Sequence, residues 1–128
     1  MGEVNDSTPK EKIKTIIVAA RTYARWYMKE ARKFEGAYYD GSDNPDEFQR
    51  YLGRGLELRT PLVSQIVAET KDQVITYEGK LIKPWYFSSS DGRTRSFYEY
   101  CIANTGNVIS CQNQFKDNYP YLMGVKDL

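Results

Sequence analysis

Acid–base chemistry in this sequence must rest on carboxylates, tyrosines, lysines or arginines, because its 128 residues include no histidine. Histidine is the commonest general base and the commonest zinc ligand, so a Ser-His-Asp or Cys-His mechanism is excluded within the chain. The two cysteines cannot complete a tetrahedral zinc site by themselves. The sequence therefore predicts neither a metal site nor a cofactor.

The overall composition is that of a soluble globular protein of one domain. It is 41% hydrophobic and 27% charged, with a formal net charge of +1. Nucleic acid is not an expected partner, because no broad basic field would release counterions. No apolar run approaches the ~20 residues of a membrane span, and no charged-then-apolar signal peptide is present.

A long first helix is the clearest predicted element. Thr8-Pro9-Lys10-Glu11 is typical of a capping box with proline at the first helical position. Apolar residues then recur at helical spacing, namely Ile13, Ile16, Ile17, Ala20, Tyr23, Ala24 and Tyr27. These features predict a helix from Pro9 to Arg32, ended by Gly36, with Arg21 at the border of its buried face.

A loop and a shorter helix are predicted next. Asp40 to Pro45 carries a concentrated turn signal and lacks the spacing of an EF-hand calcium loop. Leu62, Ile66 and Glu69 follow helical spacing within a second helix from Pro61 to Glu69.

A β-hairpin is the next predicted element. Its strands run from Gln73 to Tyr77 and from Lys80 to Phe87, around a Glu78-Gly79 turn. Pro84 places the second strand at an edge or a bulge. A polar loop and an irregular tail with Cys101 and Cys111 follow. The fold class is α+β, two helices on a small antiparallel sheet, and the domain is incomplete because stable sheets need three or more strands.

Four groups of residues carry a resemblance to a known family. They are Met1-Gly2-Glu3-Val4; Val18-Ala19-Ala20-Arg21-Thr22-Tyr23-Ala24; Gln49-Arg50-Tyr51-Leu52-Gly53; and Thr70 and Tyr77-Glu78-Gly79 with Ser89-Ser90-Asp91-Gly92-Arg93-Thr94 and Tyr119-Pro120-Tyr121-Leu122. In order and spacing they resemble the family of stage II sporulation protein D and the amidase-enhancer proteins, here as a single partial domain over residues 1–128.

The resemblance implies a lytic transglycosylase acting on peptidoglycan stripped of its stem peptides. The family's catalytic Glu precedes its Ala-Ala-Arg-Thr-Tyr-Ala helix, and counting back from Arg21 places it at Glu3. One such group can protonate the leaving oxygen and then serve as base, while the C6 hydroxyl of the sugar forms a 1,6-anhydro end. The alternative for Glu3 is a solvated residue at a frayed terminus.

The same resemblance suggests substrate-binding residues, each with a structural alternative. Arg21 would hold a carboxylate or an acetamido oxygen, or else tie the helix to a loop. Gln49 and Tyr51 would line the groove, although Tyr51 fits a core position equally well. The loop candidates are Ser88, Ser89, Ser90, Asp91, Gly92 and Thr94, whose hydroxyls and carboxylate would contact sugar edges or cap their own turns.

The implied protein is exported to the cell envelope, which makes a Cys101–Cys111 disulfide the expected state. The sequence departs from the family in its Ser90-Asp91-Gly92-Arg93-Thr94 loop, where an Asp replaces a Gly. Because relatives continue on both sides, Met1 is interpreted as an internal methionine, and this chain alone is expected to be inactive. The alternative function is a non-catalytic module that binds glycan strands and enhances a separate cell-wall amidase. A fragment with no activity of its own is a third interpretation.

Overall fold

The computed structural model describes residues 4–30, 34–44, 46–49, 52–86 and 91–126. Five helices and one two-stranded antiparallel sheet occur in these ranges, which confirms the α+β class. The chain divides into two compact units, residues 1–82 and residues 83–128. No helix in the described ranges is long and apolar enough to cross a membrane.

Helix α1 spans Lys10–Lys29, and its buried residues are Ile13, Ile17, Ala19, Ala20 and Thr22. The predicted capping box is wrong, because the Thr8 hydroxyl accepts the Asn5 backbone N–H at 3.3 Å and caps nothing in α1. Pro9 is the N-cap residue instead. At the other end α1 stops at Lys29, and Glu30 is the C-cap residue, with its N–H donating to the Trp26 carbonyl at 2.8 Å. The predicted end at Arg32 lies outside the described residues.

Helix α2 (Arg54–Arg59) leads into helix α3 (Pro61–Glu69), and the bounds predicted for α3 are confirmed. Helix α2 was not predicted. Helix α3 packs against α1 around the core of the first unit. The buried members of this core are Val4, Ile13, Ile17, Val63 and Ile66.

The hairpin pairs β1 (Thr76–Tyr77) with β2 (Lys80–Leu81), in a register that aligns Thr76 with Leu81. Its strands are shorter than predicted. Glu78 and Gly79 both have positive φ, 49° and 77°, the pattern of a two-residue type I′ turn. Glycine adopts that conformation without the steric cost that a side chain brings.

The second unit contains two helices where the sequence predicted an irregular tail, and that prediction was wrong. Helix α4 spans Phe97–Thr105 and helix α5 spans Val108–Asn118. Helix α4 begins with a capping box between Ser96 and Glu99, and it ends at Gly106 with φ 67°. Asn107 caps α5 through its side chain. Only Gly106 and Asn107 separate the two helices.

The core of the second unit is small and includes the disulfide. Phe97, Cys101 and Cys111 are buried, and Phe115, Tyr119 and Leu122 are among the half-buried residues that pack on them. The Cys101–Cys111 bond joins α4 to α5 across ten residues of sequence. It therefore fixes the two helices to each other covalently.

Candidate functional site

The structure describes some of the predicted site residues and not others. Glu3, Tyr51, Ser88, Ser89 and Ser90 lie outside the described residues. Arg21 and Gln49 belong to the first unit. Asp91, Gly92 and Thr94 belong to the second unit.

Arg21 is engaged by the C-terminal end of α3. Its Nη1 donates to the Thr70 carbonyl at 2.6 Å and to the Gln73 carbonyl at 3.1 Å. Its Nη2 donates to the Val67 carbonyl at 3.2 Å and to the Thr70 hydroxyl at 3.3 Å. A cation at this end satisfies orphan carbonyls and complements the helix dipole. In this structure the guanidinium therefore has the helix-to-loop role that the sequence offered as its structural alternative.

Two further residues tie α1 to the segments around it. The half-buried Gln49 donates its side-chain amide to the Ala20 carbonyl at 3.1 Å. Thr22 is fully buried, with its hydroxyl donating to the Val18 carbonyl at 2.6 Å and accepting the Ile75 N–H at 2.9 Å. The string Ala20-Arg21-Thr22 thus acts as the attachment point for three other parts of the unit.

The segment before α1 is fixed to the N-terminal end of α3. Val4 is buried in the core with 8% exposure. The Asp6 carboxylate accepts the Leu62 N–H and the Val63 N–H, each at 3.0 Å. Two of the amides that the start of α3 leaves unsatisfied are therefore capped from a distant part of the chain. Val4, which directly follows Glu3 in sequence, is thus held in the core of the unit.

A groove of about 420 Å³ lies along α2 and α3 in the same unit. Its lining residues are Leu52, Gly53, Leu56, Glu57, Thr60, Val63, Ser64 and Val67. Gly53 closes the Gln-x-Tyr-x-Gly string, and Val63 is one of the residues whose N–H binds Asp6. Apolar walls with a few polar groups are typical of a small-molecule site.

In the second unit, the described loop candidates have protein partners. Asp91 forms an ion pair with Arg95 at 2.6 Å. Thr94 and Val125 exchange hydrogen bonds, with Thr94 N–H donating to the Val125 carbonyl and Val125 N–H donating to the Thr94 hydroxyl, both at 2.8 Å. Gly92 has φ 105°, which accounts for glycine at that position.

Glu99 is the most perturbed carboxylate in the described part of the chain. A hydrogen bond from Arg93, with further ones from the Ser96 N–H and hydroxyl, lowers its pKa to about 2. The same contact raises the pKa of Arg93. In the first unit, the Glu69 pKa is also lowered, mainly by the hydrogen bond from Gln65. The charged form is favoured in both carboxylates, which is the opposite of what a general acid needs, and Glu99 uses its charge in the cap of α4.

No cluster of three or more metal-ligating side chains occurs in the described ranges. The described residues of the 40–45 loop form local hydrogen bonds, such as Asn44 N–H to the Ser42 hydroxyl at 3.1 Å and Asp46 N–H to the Asn44 side chain at 3.1 Å. Of the two tryptophans, Trp85 packs its ring 5.6 Å from that of Phe97 and 5.1 Å from that of Tyr100.

Sequence reasoning missed Asp6 and Thr22 as organising residues. The amides that Asp6 binds lie 56 and 57 residues away, so no local pattern points to it. Thr22 sits inside the string that carries the resemblance. It lies about 180° around α1 from Ile13, so the apolar periodicity of the helix did not point to it.

Residues 1–77 match the family described as Stage II sporulation protein (SpoIID), and the chain belongs to that family. Membership points to a cell-wall or sporulation-related role. Over 124 residues the chain is 34% identical to an uncharacterized protein of Brachyspira hyodysenteriae (strain ATCC 49526 / WA1). That alignment covers 96% of this chain and 28% of the relative, so the chain spans little more than a quarter of the relative's length. No solved structure matches the chain.

Proposed function

We propose that this chain belongs to an exported cell-envelope protein that cleaves peptidoglycan glycan strands as a lytic transglycosylase, with Glu3 as its general acid and base. The observation that carries the proposal is the family match over residues 1–77, which contains both Glu3 and the Val18-to-Ala24 string. The anchored segment that directly follows Glu3 supports it, because a catalytic acid must be held in place.

The proposed reaction needs one carboxyl group. Glu3 donates its proton to the glycosidic oxygen as the C1–O bond breaks, and the departing sugar leaves as an alcohol. The resulting carboxylate then takes the proton of the C6 hydroxyl, whose oxygen bonds to C1 and closes a 1,6-anhydro ring. No water is consumed, so the new end of the strand is an anhydro sugar rather than a reducing sugar.

A glutamine in place of Glu3 tests the chemistry. Glu3→Gln keeps the size of the side chain but cannot deliver a proton, so anhydro-end formation should fall by about 10²–10⁴-fold. Glu11→Gln is the matched control, because Glu11 is an exposed residue at the start of α1 that pairs with Lys14 at 3.4 Å. Both variants are compared with wild type in the protein that contains residues 1–128.

The readout is chromatography with mass analysis of digested glycan strands, combined with pull-down on purified sacculi. Wild type and Glu11→Gln should yield anhydro-muramyl ends, and Glu3→Gln should bind sacculi without producing them. Equal yields from all three proteins would remove Glu3 from the mechanism. The 128-residue chain tested by itself should be inactive.

A non-catalytic glycan-binding module that stimulates a cell-wall amidase is the second candidate. It is supported by the groove along α2 and α3, whose apolar walls and few polar groups suit binding. If wild type binds sacculi, yields no anhydro ends and raises the rate of a purified amidase on the same sacculi, this second function replaces the first.

A further inference from the structure

The segment formed by residues 4–8 is fixed to the rest of the first unit by two kinds of contact and has hydrogen bonds of its own. Val4 is buried in the core that Ile13 and Val63 share. Asp6 binds two amides of α3. The Asn5 side chain accepts the Ser7 N–H at 3.0 Å, while the Asn5 N–H donates to the Thr8 hydroxyl at 3.3 Å. Of these contacts, only those of Val4 and Asp6 reach residues far away in sequence.

The contacts of Asp6 are directional, whereas those of Val4 are not. A buried apolar side chain can rotate within its pocket and still remain buried. A carboxylate whose two oxygens each accept one of two consecutive amides fixes both the position and the orientation of its backbone. Asp6 therefore determines the angle at which the segment enters the unit.

We propose that Asp6 is a positioning residue for the reaction: by binding the Leu62 and Val63 amides, it aligns the segment that leads to Glu3 against α3. This rests on the proposed function of Glu3. Asp6 does not touch the substrate in this scheme. It acts through the backbone of Val4 and Asn5, the two residues that separate it from Glu3 in sequence.

Two substitutions at Asp6 and one matched control test the alignment. Asp6→Ala removes both acceptors, whereas Asp6→Asn keeps one oxygen and replaces the other with a donor that cannot bind an amide N–H. The control is Asp72→Asn, because Asp72 is an exposed carboxylate whose ion-pair partner is Arg25. Its φ of 65° is one that asparagine tolerates well.

The first readout is independent of activity and uses the 128-residue chain. Backbone order parameters of Val4 and Asn5 from ¹⁵N relaxation should fall in Asp6→Ala from about 0.85 to below about 0.6, with Asp6→Asn between the two. Asp72→Asn should match wild type. Unchanged order parameters at Val4 and Asn5 in Asp6→Ala overturn the proposal.

The second readout separates positioning from plain structural support. In the protein that contains residues 1–128, Asp6→Ala should slow anhydro-end formation by about 10–100-fold while sacculus binding stays within about twofold, because misplacement by about 1 Å affects the chemical step. Asp6→Asn should recover part of the rate. A loosened segment with an unchanged rate overturns the positioning role. If wild type forms no anhydro ends, the proposed function is overturned, and the positioning role with it. The order parameters of Val4 and Asn5 still measure whether Asp6 holds the segment against α3.

Discussion

Asp6 and Arg21 contact opposite ends of helix α3. The Asp6 carboxylate accepts the Leu62 and Val63 amides at the N-terminal end, and the Arg21 guanidinium donates to the Val67 and Thr70 carbonyls at the C-terminal end. Each charge has the sign that the helix dipole favours at its end. Both residues precede α3 in the chain, and together they hold it at both ends. A shift of α3 along its axis would therefore break one set of contacts.

The Arg21 contacts lead to a prediction about stability. Arg21→Met keeps an apolar stem and removes the charged donors, so the free energy of unfolding should fall by about 1.5–3 kcal/mol, the range for hydrogen bonds to charged groups. Arg25→Met, on the same helix, should cost under about 1 kcal/mol because Arg25 forms a surface ion pair with Asp72 at 3.2 Å. Urea unfolding of the 128-residue chain measures both values.

Sacculus binding distinguishes the two interpretations of Arg21. If Arg21→Met binds sacculi at least tenfold more weakly while its unfolding free energy stays within about 0.5 kcal/mol of wild type, Arg21 contacts the glycan instead of supporting α3.

The buried hydroxyl of Thr22 gives a second prediction. Thr22→Val has a similar volume but leaves the Ile75 N–H without its acceptor, which should cost about 1–3 kcal/mol of unfolding free energy. Thr15→Val is the matched control on the same helix, since the Thr15 hydroxyl donates to the Glu11 carbonyl at an exposed position. Equal costs for the two variants in urea unfolding would contradict a specific role for the Thr22–Ile75 bond.

The disulfide gives a third prediction. Replacing both Cys101 and Cys111 with serine should destabilise the second unit by roughly 2–3 kcal/mol, because closing a loop of about ten residues restricts the unfolded chain by that amount. Thiol labelling of native material exported by the cell should find both cysteines oxidised. Two free thiols in that material would contradict the proposed export to an oxidising compartment.

A reductant provides the control for this variant. Treatment with a phosphine should lower the stability of wild type and leave the double serine variant unchanged. A similar loss in both proteins would show that the reductant acts elsewhere.

The Glu99 pKa predicts a dependence of stability on pH. Its folded pKa, about 2, lies below its ordinary value of 4.5, so Glu99 stabilises the folded state above about pH 4.5, and this contribution is lost as pH falls toward 2. The difference in unfolding free energy between wild type and Glu99→Gln should therefore shrink over that interval.

Arg93→Met checks the cause, because Arg93 makes the largest contribution to the shift. An NMR titration of the Glu99 carboxyl should show a higher pKa in Arg93→Met than in wild type. An unchanged titration would mean that the Ser96 hydrogen bonds alone keep Glu99 ionised.

Local sequence patterns predicted the elements whose signals are local. Helix α3 has a proline at its first position and apolar residues at helical spacing, and its bounds were predicted correctly. Helix α4 was missed because its apolar residues do not mark one face, and α5 was missed because it is rich in polar residues. A signal for α4 was nevertheless present, since Ser96-Phe97-Tyr98-Glu99 has the spacing of a capping box. Thr8-Pro9-Lys10-Glu11 has the same spacing, but the Thr8 hydroxyl bonds to Asn5 instead.

The sequence could predict which residues of the candidate site are able to do chemistry, but not which atoms they contact. The absence of histidine pointed to carboxylates, and the family strings selected Glu3, Arg21 and Gln49. The partners of these side chains could not be predicted from spacing, because the Arg21 acceptors lie 46 to 52 residues away and the Gln49 acceptor lies 29 residues away. Such contacts depend on how α1 and α3 pack, which a local pattern does not encode.

The Cys101–Cys111 bridge also simplifies maturation. Two cysteines within these 128 residues allow one pairing inside that stretch, so this bond requires no choice between partners there. The two thiols lie only 10 positions apart in sequence, so under the proposed export the bond can close as soon as both have emerged from a translocation channel. An oxidase that meets the chain at that point would then set the rate at which the second unit becomes covalently locked.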